Sequence, residues 1–432
     1  MLNRITAFFP LLFTITLLKA QNRSNLNLQD VFNNNPHPVF QQVIQDPDTY
    51  RLQIIYTQID RDRQNRPQFT HHYFHYDPQQ YFNPASMVKL PLAALALEKL
   101  NRLHLKGVDK NTALQFDSSA AWHKTLLSDK TSENGKVSIA HLIKRALLIS
   151  ENDPYNRMYQ FVGQEEINRN LHQKGYKDVR ITRQFMGLTP EQNRLTNPVR
   201  FLSEKGTVLY SQPALKNSDT FDFSRQIFIG KAHMDRNDQL VQAPFDFTQH
   251  NNISLGSLQQ ILQSILFPES VPKNQRFQLK KDDYNFLYKY LSQYPSETSY
   301  PKYDTSKFYD SYVKFFFRDT GKHFMPEQVR VFNKVGWAYG FLTDVSYIVD
   351  FKQGIEFMLS ATLYVNSDEV LNDGKYDYDS VGYPFLYQLG QTIYQYESGR
   401  KKLYPSDLSR FRINYERRDP NDKRPSLTDV DN

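Results

Sequence analysis

The 432-residue sequence contains no cysteine. Disulfides and thiolate metal sites are therefore excluded, as is a lipid anchor on a cysteine at a leader cleavage site. Beyond the N-terminus no run is apolar for long enough to cross a bilayer as a helix. There is no internal repeat and no concentrated basic patch, because the formal charge of +7 is spread along the chain. Arg61, Arg63 and Arg66 fall in a turn and Arg400-Lys401-Lys402 is a short run, so no nucleic-acid partner is expected. His71, His72 and His75 lack carboxylate or thiolate support and read as strand residues; no metal and no cofactor are expected.

What is present starts with the pattern of a secretory leader over residues 1–20. Arg4 gives a positive end, Ile5 to Leu18 is apolar but short for a transmembrane span, and cleavage fits after Ala20. The mature chain is expected to be soluble in an exported, periplasmic compartment. Residues 21–37 read as an Asn-rich polar leader with little structure, 38–397 as one large domain, and 398–432 as a polar C-terminal tail, charged and proline-broken.

Alternation of apolar and polar residues predicts strands over 50–59 and 69–76, with a turn over Asp60 to Pro67. Helical spacing covers 39–44, 137–149, 155–161, 164–174, 255–267, 284–290 and 384–396. Three more strands are predicted over 329–335, 345–351 and 355–365. Between about 180 and 252 periodicity is weak, with prolines at 190, 198, 213 and 244 and one possible strand at 226–229. The order predicts an α+β fold, with an antiparallel sheet built from the N- and C-terminal strands and a largely helical lobe inserted between them.

One helix stands apart. From Met87 to Leu97 the only charge is Lys89, in a run apolar on nearly every face, which belongs in a core. Pro84 sets the entry and Pro91 lies close to the first turn, where a missing N–H costs least. Ser86 and Lys89, three apart, project from the same face. A hydroxyl beside a desolvated, neutral amine is a nucleophile beside its base; the plainer reading is a capping serine and a snorkelling lysine. The same spacing recurs at Ser270/Lys273, Ser299/Lys302, Ser311/Lys314 and Ser398/Lys401, in polar or Pro- and Tyr-rich surroundings that open no long apolar helix.

Two further motifs follow in order: Ser150-Glu151-Asn152 after a helix, and Lys334-Val335-Gly336 on a strand. With Ser86-Met87-Val88-Lys89 they resemble the signature of the penicillin-recognising serine hydrolases, above all class A β-lactamases and their D,D-peptidase relatives. The resemblance covers roughly residues 39–397 and is poor from 180 to 252. It implies Ser86 as the acylated nucleophile, Lys89 as its base, and Ser150 with Lys334 as the proton path to the leaving nitrogen. Asn152, Gly336 and Trp337 would contact substrate, with backbone N–H groups of Ser86 and Trp337 as the oxyanion hole.

Two departures matter. The middle of the third motif normally carries a hydroxyl for the substrate carboxylate, and Val335 has none; such a loss removes about 1–3 kcal/mol. The carboxylate that activates the deacylating water in class A enzymes has its nearest candidate in Glu191, spaced differently from its asparagine. The expected function is an exported serine hydrolase acting on a β-lactam or related amide, with a β-lactam or peptidoglycan-derived small molecule as partner. The alternatives are a D,D-peptidase or penicillin-binding protein, an esterase, and a non-catalytic cell-wall binding module.

Overall fold

The computed structural model of the protein describes residues 26–319 and 325–430. The expected signal peptide lies outside the described residues. Five strands form the main sheet: β1 (Gln53–Arg61), β2 (Pro67–Phe74), β3 (Val329–Ala338), β4 (Phe341–Asp350) and β5 (Ile355–Tyr364). They run in the order β3-β4-β5-β1-β2, and all four pairings are antiparallel. The first and last thirds of the chain thus meet at β1 and β5, as the α+β expectation requires.

Period-two alternation sorts the sheet's side chains into two cores. Ile55, Ile59, Val345, Tyr347 and Met358 face the inserted lobe, built from α3 (Lys89–Arg102), α4 (Ile139–Leu148), α5 (Asn152–Val162), α6 (Gln164–Gln173), α7 (Leu255–Leu266) and α8 (Lys281–Ser292). Ile54, Tyr56, Val335, Leu342, Ile348 and Phe357 face the other way. There they pack under α9 (Tyr383–Gly399) and two short N-terminal helices, α1 (Leu28–Phe32) and α2 (Pro38–Gln45). Because both faces are covered, β4 and β5 are buried at every position. They read as nearly continuous apolar runs for that reason.

Two expectations about the chain ends are corrected. The supposed leader contains α1, whose Leu28, Val31 and Phe32 are buried against the sheet. The C-terminal stretch, expected as a polar tail, is a strap anchored by buried side chains. Phe411 sits among the rings of Phe267, Tyr288, Phe332 and Tyr347 at 4.8–5.7 Å, and Glu416 pairs with Lys144 and Lys289. Both stretches look polar because only one residue in several is buried.

The strap yields a stability prediction. Replacing Phe411 by alanine removes a fully buried ring and should destabilise the protein by about 3–5 kcal/mol. Urea unfolding followed by Trp fluorescence reads this directly; a change below 1 kcal/mol would return the strap to the status of a loose tail.

Candidate active site

Ser86 does not open the α-helix itself. It lies in a 3-10 turn, Ala85–Val88, that leads into α3. The turn begins with Ala85 at φ +43°, a left-handed value that L-residues adopt at a cost, and Asn83 Oδ1 holds it by accepting the Ala85 N–H at 2.8 Å. Strain of this kind persists only where the surroundings fix it. Here β3 does so: a Cβ on Gly336 would come within 2.5 Å of the Pro84 carbonyl oxygen and 3.1 Å of the Met87 nitrogen. Glycine at this place lets the strand touch the turn that carries Ser86. The serine caps nothing, which removes the plainer reading.

Lys89 is fully buried. Its Nζ lies 2.7 Å from Ser86 Oγ, 2.8 Å from Asn152 Oδ1 and 3.3 Å from Ser150 Oγ, and it also contacts the Ser150 carbonyl oxygen. Burial, reinforced by the nearby positive Lys334, holds its pKa well below the ordinary lysine value. A neutral amine has two N–H bonds and one lone pair. The Ser150 carbonyl and the Asn152 amide oxygen can only accept, so they take the N–H bonds, and the lone pair is left for a hydroxyl proton. The lysine does not snorkel.

Ser150 and Asn152 stand at the α4–α5 junction. Ser150 has φ +73°, and Asn152 is the first residue of α5 with its side chain on Lys89 instead of on a helix C-terminus. Glu151, which sequence reading left without a role, fixes this junction. It is buried, accepts 2.9 Å from Arg145 Nε and 2.6 Å from the Tyr303 hydroxyl, and Arg145 in turn reaches Asp129 at 2.7 Å. The Ser132-Glu133-Asn134 repeat of the motif is a separate turn closed onto Asp129.

Lys334 is buried on β3, and its Nζ donates to Ser150 Oγ at 2.8 Å and to the Val335 carbonyl at 2.6 Å. Desolvation brings its pKa down to about 7, against the opposing pull of Asp344. Behind it, on the other face of the sheet, sits a second buried lysine. Lys314 binds Asn333 Oδ1 at 2.6 Å and two backbone carbonyls, and Asn333 binds Asp344 at 2.9 Å. The Ser311/Lys314 spacing is therefore not a surface coincidence, although Lys314 never reaches the cleft. Val335 points into the far-face core and offers the cleft nothing.

These residues floor a cleft of about 440 Å³. One wall is the end of β3, where Trp337, Ala338 and Tyr339 run into a two-residue turn with both Tyr339 and Gly340 at positive φ, the tight hairpin type. A second wall, which meets the first where His250 packs on Tyr339, comes from the stretch without periodicity: Arg183, Gln184, Phe185, Met186, His250 and Asn251. Side-chain amides hold that wall: Asn251 accepts the N–H groups of Thr182 and Arg183, Asn156 that of Phe185, and Asn193 that of Gln184. Glu191 is not in the cleft. Its side chain is 70% exposed and loosely paired with Arg194 and Lys216, both at 3.6 Å, so its assignment as a catalytic base is withdrawn. Its neighbour Asn193 turns inward and takes the hydrogen bonds of the loop, which leaves the carboxylate outside.

The buried lysines set a pH dependence of stability. Lys99, buried on α3 against the Phe161 and Val162 carbonyls, and Lys314 and Lys334 release their protons near pH 7 in the folded protein, whereas an unfolded lysine keeps its proton to about pH 10. The unfolded chain therefore binds more protons between these values, and stability should rise with pH from 7 to 9. Urea midpoints that fall over this range would show the three amines to be compensated.

In comparisons with known proteins, residues 41–208 match the model described as the β-lactamase enzyme family, less than half of the chain. No curated protein sequence matches. Among solved structures, a β-lactamase from Sphaerobacter thermophilus is similar at 12% identity with a TM-score of 0.46, covering 87% of this chain and 100% of its own. One from Xanthomonas campestris pv. campestris gives 12% and 0.46, over 85% and 99%. An ancestral (GNCA) class A β-lactamase gives 13% and 0.45, over 83% and 99%. The family match spans the Ser86 and Ser150 motifs, and β3 brings Lys334 to them from outside the matched residues.

Proposed function

We propose that the protein is an exported serine hydrolase that opens a β-lactam or a related amide through an acyl-enzyme on Ser86. The observation that carries this reading is the 2.7 Å approach of Lys89 Nζ to Ser86 Oγ inside a shell that leaves the amine's lone pair to the hydroxyl. Lys89 takes the Ser86 proton as Oγ attacks the carbonyl carbon. Charge that develops on the carbonyl oxygen meets the backbone N–H groups of Ser86 and Trp337, an interaction of the kind that dominates acyl transfer. Ser150 Oγ, 3.3 Å from Lys89 and 2.8 Å from Lys334, passes a proton to the leaving nitrogen and recovers one from the lysines. The export of the chain rests on its leader-like N-terminus.

Release of the acyl group is the slow half of the cycle in this reading. Among the described residues no carboxylate lines the cleft. His250, the only histidine there, is kept neutral by burial and by Arg183, with its pKa down at about 3, and its Nε2 is already occupied by the Arg183 guanidinium. This favours the behaviour of a penicillin-binding or D,D-peptidase-type protein over rapid β-lactam turnover.

The test is incubation with a fluorescent penicillin and a chromogenic cephalosporin, with Ser86→Ala alongside. A covalent label on the wild type that outlasts many minutes, and that is absent from the variant, is the expected result. Fast turnover would require a water-activating group that the cleft does not display, and labelling by esters alone would shift the reading to an esterase. No reaction with any acyl donor would leave a binding module. The acylation rate should also fall as pH rises through about 7, where Lys334 loses its proton and with it the positive charge at the leaving side.

A further inference from the structure

The cleft holds one guanidinium that the acylation chemistry does not use. Arg183 lines the cleft, and its backbone is clamped: its N–H donates to Asn251 Oδ1 at 3.0 Å, and its carbonyl accepts from the Tyr155 hydroxyl at 2.7 Å and from Asn251 Nδ2 at 3.3 Å. One side-chain N–H donates to His250 Nε2. That imidazole is itself packed against Phe247 at 4.9 Å, Phe245 at 5.6 Å and Tyr339 at 6.1 Å. The guanidinium is thus braced by a neutral ring, and among the described residues no carboxylate pairs with it. A guanidinium has five N–H donors arranged to grip a planar anion, so several remain unspent.

Its position says which part of the substrate it meets. Resting on the reading above, the leaving nitrogen belongs to Ser150 and Lys334. The wall of Arg183, Phe185 and Asn251 is then left to the acyl half, the part retained on Ser86. We propose that Arg183 is a specificity-determining residue that selects acyl donors bearing an anionic group, such as a carboxylate, on their acyl side chain. The bracing matters to this role. An arginine already held at its backbone and at one N–H loses little further freedom when it binds. A neutral His250 takes up one N–H without cancelling the charge. The tight Tyr339-Gly340 turn and the 245–250 segment close the cage around the pair.

The test uses the full-length mature protein and two penicillins that differ only in the acyl side chain, one ending in a carboxylate and the other in the matching carboxamide. The second-order rate of Ser86 acylation is measured for each with wild type, Arg183→Gln and Arg183→Lys. Wild type should prefer the carboxylate, and Arg183→Gln should lower the carboxylate-to-carboxamide ratio by about tenfold to a hundredfold, the size of a lost charge-assisted hydrogen bond. Arg183→Lys should restore part of that ratio. An equal fall on both donors would mark a structural role and overturn the proposal, as would an unchanged ratio. If wild type is acylated by the carboxamide but shows no preference, the acyl-enzyme reading stands and the Arg183 assignment fails. If neither compound labels Ser86, both fall together.

Discussion

Everything at the centre of this molecule depends on the burial of one amine. Lys89 sits at the base of a helix that is apolar on nearly every face, and the surrounding core makes an ammonium there expensive. The oxygens that reach it come from two separate elements: the turn before α3, through Ser86, and the α4–α5 junction, through Ser150 and Asn152. None of these could be displaced without leaving the amine unsatisfied. The lysine both contacts Ser86 Oγ and pins the helical lobe in register.

The sheet answers from the other side. Gly336 allows β3 to press on the strained turn at Ala85, while Lys334 closes the ring of hydrogen bonds through Ser150. Behind β3, the Lys314–Asn333–Asp344 group adds buried charge of both signs, and Asp344, with its pKa raised to about 6 by burial, still pulls Lys334 toward its charged form. Glu151 plays the matching part in the lobe, held by Arg145 and Tyr303 so that the residues flanking it face the amine. Tyr303 is in turn tied to the C-terminal strap, through the Asp304 N–H bond to Leu427 at 2.9 Å. The C-terminal strap therefore braces the α4–α5 junction.

How much of this was legible in the residues depended on where regular periodicity operates. The sheet, its order of elements and the helices were readable because period-two and 3.6-residue patterns report directly on buried faces. The Ser86, Lys89, Ser150, Asn152 and Lys334 constellation was readable because a charge in an apolar helix and two motifs in sequence order are local features. The wall from Arg183 to Asn251 was not. The backbone N–H groups of residues 181–185 are taken by Asn168, Asn251, Asn193 and Asn156 side chains, and the strands further along the stretch are only two to five residues long, so no hydrophobic period marks it. Glu191 misled for the same reason: in a loop, nothing in the sequence says which of Glu191 and Asn193 turns inward. Lys314 and Phe411 were missed because each lies in polar or aromatic surroundings and is buried only by distant segments.

Burial should keep Lys89 a neutral amine in the resting protein. The most direct test is an NMR titration of the protein carrying 13Cε-labelled lysine, with the Lys89 resonance assigned by Lys89→Arg. The shift characteristic of an uncharged amine should persist at pH 7 and titrate only well below the ordinary lysine range. A Lys89 resonance that stays in its ammonium form up to about pH 10, the value of an unperturbed lysine, would contradict the account.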